Sequence, residues 1–75
     1  MHLADLLIHV HEKLGVTEQE GLEDDLRQVE GVIAPRFNGD NPHMLLVSYN
    51  PEATNSYNLL RKVTTKGYGA QLVAL

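Results

Sequence analysis

The sequence predicts an α+β domain of order βαββαβ. Three observations predict it. Four stretches alternate or cluster apolar residues as strands do. Two stretches carry apolar residues at helical spacing behind N-cap signals. Clusters of Gly, Pro, Asn and Asp separate them.

The first strand is Leu6-Leu7-Ile8-His9-Val10-His11. Leu6, Ile8 and Val10 point one way; Leu7, His9 and His11 point the other, which is the pattern of a half-buried strand. Thr17-Glu18-Gln19-Glu20 then reads as a capping box, with the Thr17 hydroxyl and the Glu20 carboxylate each satisfying a backbone N–H. Leu22, Leu26 and Val29 follow on one helical face. Glu18, Glu20, Glu23, Asp24 and Asp25 crowd the first two turns, where the helix dipole favours anions. Gly31 is expected to end this helix. Gly21 inside it costs about 1 kcal/mol relative to Ala, so it marks a close approach or a loose first turn.

Val32 to Phe37 forms the second strand. Pro35 has no N–H for a ladder, which assigns this strand to an edge. Asn38-Gly39-Asp40-Asn41-Pro42 is a dense turn signal. The third strand runs from Met44 to Tyr49, with Leu45, Val47 and Tyr49 on one face, and Asn50-Pro51 breaks it. Asn55 or Thr54 caps a second helix carrying Leu59, Leu60 and Val63. Lys62 and Lys66 lie near its end, where the dipole favours cations, and Gly67 follows as its terminator. The last strand runs from about Tyr68 to Val73.

Two split βαβ units with right-handed crossovers make this a ferredoxin-like sandwich: a four-stranded antiparallel sheet with both helices on one face. The 75 residues form one domain, 1–75, with no repeat, linker or low-complexity tract.

Composition excludes several classes of function. The absence of cysteine removes disulfides, thiolate metal sites and thiol nucleophiles. A net charge of −4, with six dispersed basic residues, argues against nucleic acid as a partner. One Phe and three Tyr give no platform for stacking bases. The start, Met1-His2-Leu3-Ala4-Asp5, has no basic run, and Asp5 and His9 interrupt the first apolar stretch. The expectation is no signal peptide, no membrane insertion and a cytoplasmic location, either alone or as part of a larger assembly. Ser48, Ser56 and the threonines sit in no nucleophile motif, and there is no phosphate-cradling Gly loop. The chain is therefore not expected to be an enzyme.

Four short matches, in order and at the right spacing, carry a family resemblance. They are Ile8-His9-Val10, Gln28-Val29-Glu30-Gly31-Val32, Val47-Ser48-Tyr49-Asn50-Pro51 and Lys66-Gly67-Tyr68. With these the chain resembles the heavy-metal-associated domain family over nearly its whole length. That family's first loop reads Gly-Met-x-Cys-x-x-Cys and carries soft metal ions. Two registers align this chain with it. Counting back from Leu26 and Leu22 puts the cysteine positions at Gly15 and Glu18. Matching Gly15-Val16-Thr17 to the loop's start puts them at Glu18 and Gly21. The first keeps the helix face in phase and is preferred. In both, Glu18 replaces one cysteine and a glycine the other. Two thiolates suit Cu(I) and a single carboxylate does not, so family-style copper trafficking is excluded. The resemblance implies that Gly15, Val16, Thr17, Glu18, Lys66 and Tyr68 surround the former metal site, where Lys66 can pair with Glu18.

Two other constellations remain. His9 and His11 lie on one strand face about 7 Å apart by backbone. Two imidazoles so placed can chelate Zn, Ni or Cu(II) with help from Glu12 or Glu18. The alternative is two partly exposed polar residues on an open sheet. His43 is read as a turn residue. Leu7, Met44 and Leu46, with Gln71 and Val73, share that open face and form a candidate contact surface for a homodimer or another protein. The acidic first helix is a second candidate docking face. The expected function is a degenerate heavy-metal-associated-like domain acting as an interaction or regulatory module beside metal transport. The alternative is a metal-binding or carrier protein using His and Glu ligands.

Overall fold

The structure, a computed structural model, describes residues 2 to 73. It runs β1 (Ala4–Val10), α1 (Val16–Arg27), β2 (Val32–Phe37), β3 (Met44–Tyr49), α2 (Ser56–Thr65) and β4 (Ala70–Val73). The sheet order is β2-β3-β1-β4, and every neighbouring pair is antiparallel. β1 and β3 are central, so each crossover helix passes over a strand before its chain returns to the sheet. This is the expected ferredoxin-like arrangement.

The core follows from the two periodicities. Leu6, Ile8 and Val10 of β1 and Leu45 and Val47 of β3 face the helices and are buried. Leu22 and Leu26 of α1, and Leu59 and Val63 of α2, close over them. Burying one such aliphatic side chain contributes roughly 1.5–3 kcal/mol. Leu14 adds to this core from the β1–α1 loop and is only 5% exposed. No periodic pattern reaches it, so the sequence reading passed over it.

Pro35 does lie on an edge strand, where its missing N–H costs the ladder nothing. β2 also carries a register shift between Val32 and Ala34. The backbone N–H of Phe37 donates to the Glu23 carboxylate of α1 at 2.9 Å. A charged acceptor thus occupies an amide at the exposed side of the sheet.

The C-terminal end of α1 departs from expectation. α1 stops at Arg27 with Gln28 as its C-cap, three residues before Gly31. Gly31 instead turns the chain into β2 with φ +96°. A Cβ there would stand 2.7 Å from the Ala53 Cβ, and Gly31 accepts the Asn50 N–H at 2.7 Å. Two of the sequence motifs, Gly31-Val32 and Tyr49-Asn50-Pro51, therefore meet in space. Gly21, inside α1, faces open space, so of the two readings offered for it the close approach does not hold. α2 behaves as expected. The Asn55 side chain, not Thr54, caps it by accepting the Asn58 N–H at 2.9 Å. Gly67, at φ +99°, follows its end. β4 begins at Ala70 rather than Tyr68: the turn falls on Lys66 and Gly67, and the Gly69 N–H goes to the Glu12 carboxylate.

Candidate functional site

The chemistry-bearing residues gather at one end of the sheet, where β1 leaves for α1, the β2–β3 hairpin closes and α2 returns to β4. Three connections knit that end together. The His11 N–H donates to Gly69 O at 2.8 Å. The Glu12 carboxylate accepts the Gly69 N–H at 2.9 and 3.2 Å. The Val10 N–H donates to His43 O at 2.7 Å.

The β1–α1 loop is closed on itself. Gly15, not Thr17, is the N-cap of α1. Its N–H donates to Glu18 Oε1 at 3.1 Å, and Gly15 O accepts the first helical bond from Gln19 at 2.9 Å. This is the return half of a capping box, displaced two residues from the Thr17–Glu20 reading. A glycine cap has no side chain to supply the other half. The Gln19 amide donates to Leu14 O at 3.1 Å, and the burial of Leu14 anchors the turn. Positions 15 and 18, aligned with the missing cysteines, thus hold a bare backbone and a carboxylate already engaged with it. That donor set does not fit a soft ion.

Lys66 does not pair with Glu18. Its ammonium meets the Asp25 carboxylate across the two helices. The hydrogen bond to Asp25, then its charge, raise the Lys66 pKa above its ordinary 10.5. The acidic helix is mostly committed inside the molecule. Glu18 binds Gly15, Glu23 binds Phe37, Asp24 pairs with Arg27 and Asp25 with Lys66. Its acids therefore offer a partner less unpaired charge than their number suggests. Val16 is exposed, and Tyr68 is half-buried against the core.

On the open face the structure gathers three histidines rather than two. The His9 and His11 ring centres lie 5.5 Å apart, tilted by 54°. The His43 ring lies 5.5 Å from that of His9, with the planes 11° apart. His43 Nδ1 is 2.9 Å from Val10 O. A carbonyl only accepts, so Nδ1 is the donor here, and in the neutral ring Nε2 holds the lone pair. His9 Nδ1 is buried without a hydrogen-bond partner. Glu18, assigned with these histidines in the sequence, is held by Gly15 instead. Among the described residues, no group of three or more His, Asp or Glu side chains is placed so that it could hold a metal ion. His43 was read as a turn residue. The signal that places it lies in the topology: central β1 and β3 are antiparallel, which sets residue 43 beside Val10.

Beside the histidines, Leu7 stands directly opposite Leu46, and Met44 opposite His9. Leu7, Met44, Leu46, Arg36 and the hairpin residues Asn38 and Gly39 line a shallow cleft of about 330 Å³. Leu46 is 42% exposed at the middle of this uncovered face.

No protein-family model and no curated protein matches the sequence. Solved structures match its fold. The N-terminal domain of a potential copper-translocating P-type ATPase from Bacillus subtilis, Cu(I)-loaded, has a TM-score of 0.84 at 21% identity, over 95% of this chain and 88% of that one. Oxidized MerP from Ralstonia metallidurans has 0.84 at 14%, over 97% of this chain and all of that one (100%). The CopZ metallochaperone has 0.80 at 17%, over 93% and 100%. Among the described residues, no helix is long and apolar enough to cross a membrane. The chain has the ferredoxin-like fold of heavy-metal-associated domains, without a cysteine at any position.

Proposed function

We propose that this chain is a degenerate heavy-metal-associated-like domain that works as a protein-interaction or regulatory module in the cytoplasm, beside metal transport, and is not an enzyme. The observation that carries this is the closure of Glu18 onto the Gly15 N–H, which engages the carboxylate standing where a soft ion's ligand is expected. The association with metal transport draws on fold neighbours, among them a potential copper-translocating ATPase domain and a metallochaperone.

The contact surface in this reading is the open sheet face around the Leu7–Leu46 pair. Its simplest occupant is a second copy of the chain. Sedimentation velocity across a concentration series tests this against Leu46→Glu, which places a charge on an exposed position. Concentration-dependent dimer in the wild type and monomer in the variant support the reading. A wild type that stays monomeric to millimolar concentration removes the homodimer.

A second reading, that the chain binds a divalent transition metal through histidines, is favoured by the gathering of His9, His11 and His43. Thermal melting with and without Zn(II) tests it. An unchanged melting temperature at saturating metal rejects it.

A further inference from the structure

We infer that His9, His11 and His43 together form a site for a divalent transition-metal ion of the zinc, nickel and copper(II) class, on the open sheet face and away from the Gly15–Glu18 loop. The inference rests on the second reading above and specifies its ligands: His43 enters the set and Glu18 leaves it.

Three observations carry it. The first is spacing. Two imidazoles bound to one tetrahedral zinc through Zn–N bonds of about 2.0–2.1 Å hold their ring centres roughly 5 Å apart. His11 and His43 each lie 5.5 Å from His9 by that measure, with the His11 ring tilted 54° and the His43 ring stacked 11° from parallel, so the spacing is in place and the aim is not. The second is the tautomer of His43. Its Nδ1–H is tied to Val10 O, which leaves Nε2 as a lone pair on an oriented ring. A backbone carbonyl on the far nitrogen is the usual support of a ligating histidine. The third is His9, whose Nδ1 is buried and unpartnered. An unsatisfied buried polar atom destabilises the state that holds it. Turning the ring to bring a nitrogen onto a metal relieves that condition.

The rings do not converge on one point before the ion arrives. Binding therefore requires His9 and His11 to turn about χ1, through its staggered wells, and about the broader χ2, while His43 stays held by Val10 O. His11 is exposed and free to make this movement, although its ring rests against Gly69, whose added Cβ would lie 3.1 Å from His11 Nδ1. Any side chain at position 69 would displace the ring. Only imidazoles are needed from the protein, with water completing the shell, and that donor type suits zinc, nickel and copper(II).

The test follows the imidazole nitrogens by long-range ¹H–¹⁵N spectra during titration with Zn(II). Variants His43→Ala, His9→Ala and His11→Gln are compared with His2→Ala as a control outside the cluster. The expected result is saturation at one equivalent, with the resonances of His9, His11 and His43 moving together. Each cluster variant should weaken binding at least tenfold, and His2→Ala should leave it unchanged. His11→Gln alters an exposed side chain, so it keeps the test valid if a half-buried variant misfolds. Tight binding that His43→Ala and His11→Gln leave untouched overturns the three-histidine site while the broader metal reading survives. No movement of any imidazole at ten equivalents overturns both.

Discussion

Lys66 and Asp25 show how single residues were redirected. The family resemblance sets Lys66 beside the former metal loop, and Glu18 was its natural partner by charge. The backbone N–H of Gly15 claims Glu18 first, and Lys66 reaches Asp25 on the neighbouring helix instead. The pKa of Lys66 is raised by this partner, which gives the pair a defined pH window. A raised lysine pKa contributes stability that is fully present below the ordinary value of 10.5 and is lost as pH climbs through the raised folded value. Both side chains are solvent-accessible, so the contribution is screened by salt. The expected outcome for Asp25→Asn is a Lys66 titration shifted back toward lower pH, read from its side-chain carbon resonance. An unchanged titration would contradict the pairing.

At the scale of elements, the two glycines of the α1 region have opposite consequences. Gly21 is exposed in mid-helix with nothing within 4 Å of an added Cβ. Gly21→Ala should stabilise the domain by about 1 kcal/mol. That corresponds to a rise of roughly 4–8 °C in Tm for a domain of this size. Gly31 has φ +96° and no room, with Ala53 Cβ 2.7 Å away. Gly31→Ala should cost at least about 1–2 kcal/mol from the left-handed backbone alone, before the clash is counted. Thermal melts of the two variants check both signs. The order of elements, the edge position of β2 and a cap at Asn55 or Thr54 were legible because each rests on local chemistry: alternation, a missing N–H, a short polar side chain. The start of α1 was misread by two residues for an equally physical reason. Thr17-x-x-Glu20 and Gly15-x-x-Glu18 offer the same spacing. The choice between them is made by Leu14, whose burial no local pattern announces.

The whole molecule puts two different surfaces at one end of the sheet. On the helix side the Gly15–Glu18 loop is satisfied by its own backbone. On the open side lie three imidazoles and the Leu7–Leu46 pair. His9 and His11 were legible as neighbours because strand periodicity alone puts them on one face. His43 was not, since its place depends on β1 pairing with β3 across 33 residues of chain. Likewise the acidic run was legible as a charged helix start, but its partners Phe37, Arg27 and Lys66 appear only once the layers are packed. The central claim is that the Gly15–Glu18 loop, aligned with the metal loop of the fold neighbours, does not bind soft ions. It is tested most directly by adding one equivalent of Ag(I), a soft ion of the Cu(I) class, while following backbone amides by ¹H–¹⁵N spectra. The amides of Gly15, Val16, Thr17, Glu18, Lys66 and Tyr68 are expected to stay where they are. Stoichiometric, saturating shifts confined to those six residues would contradict it.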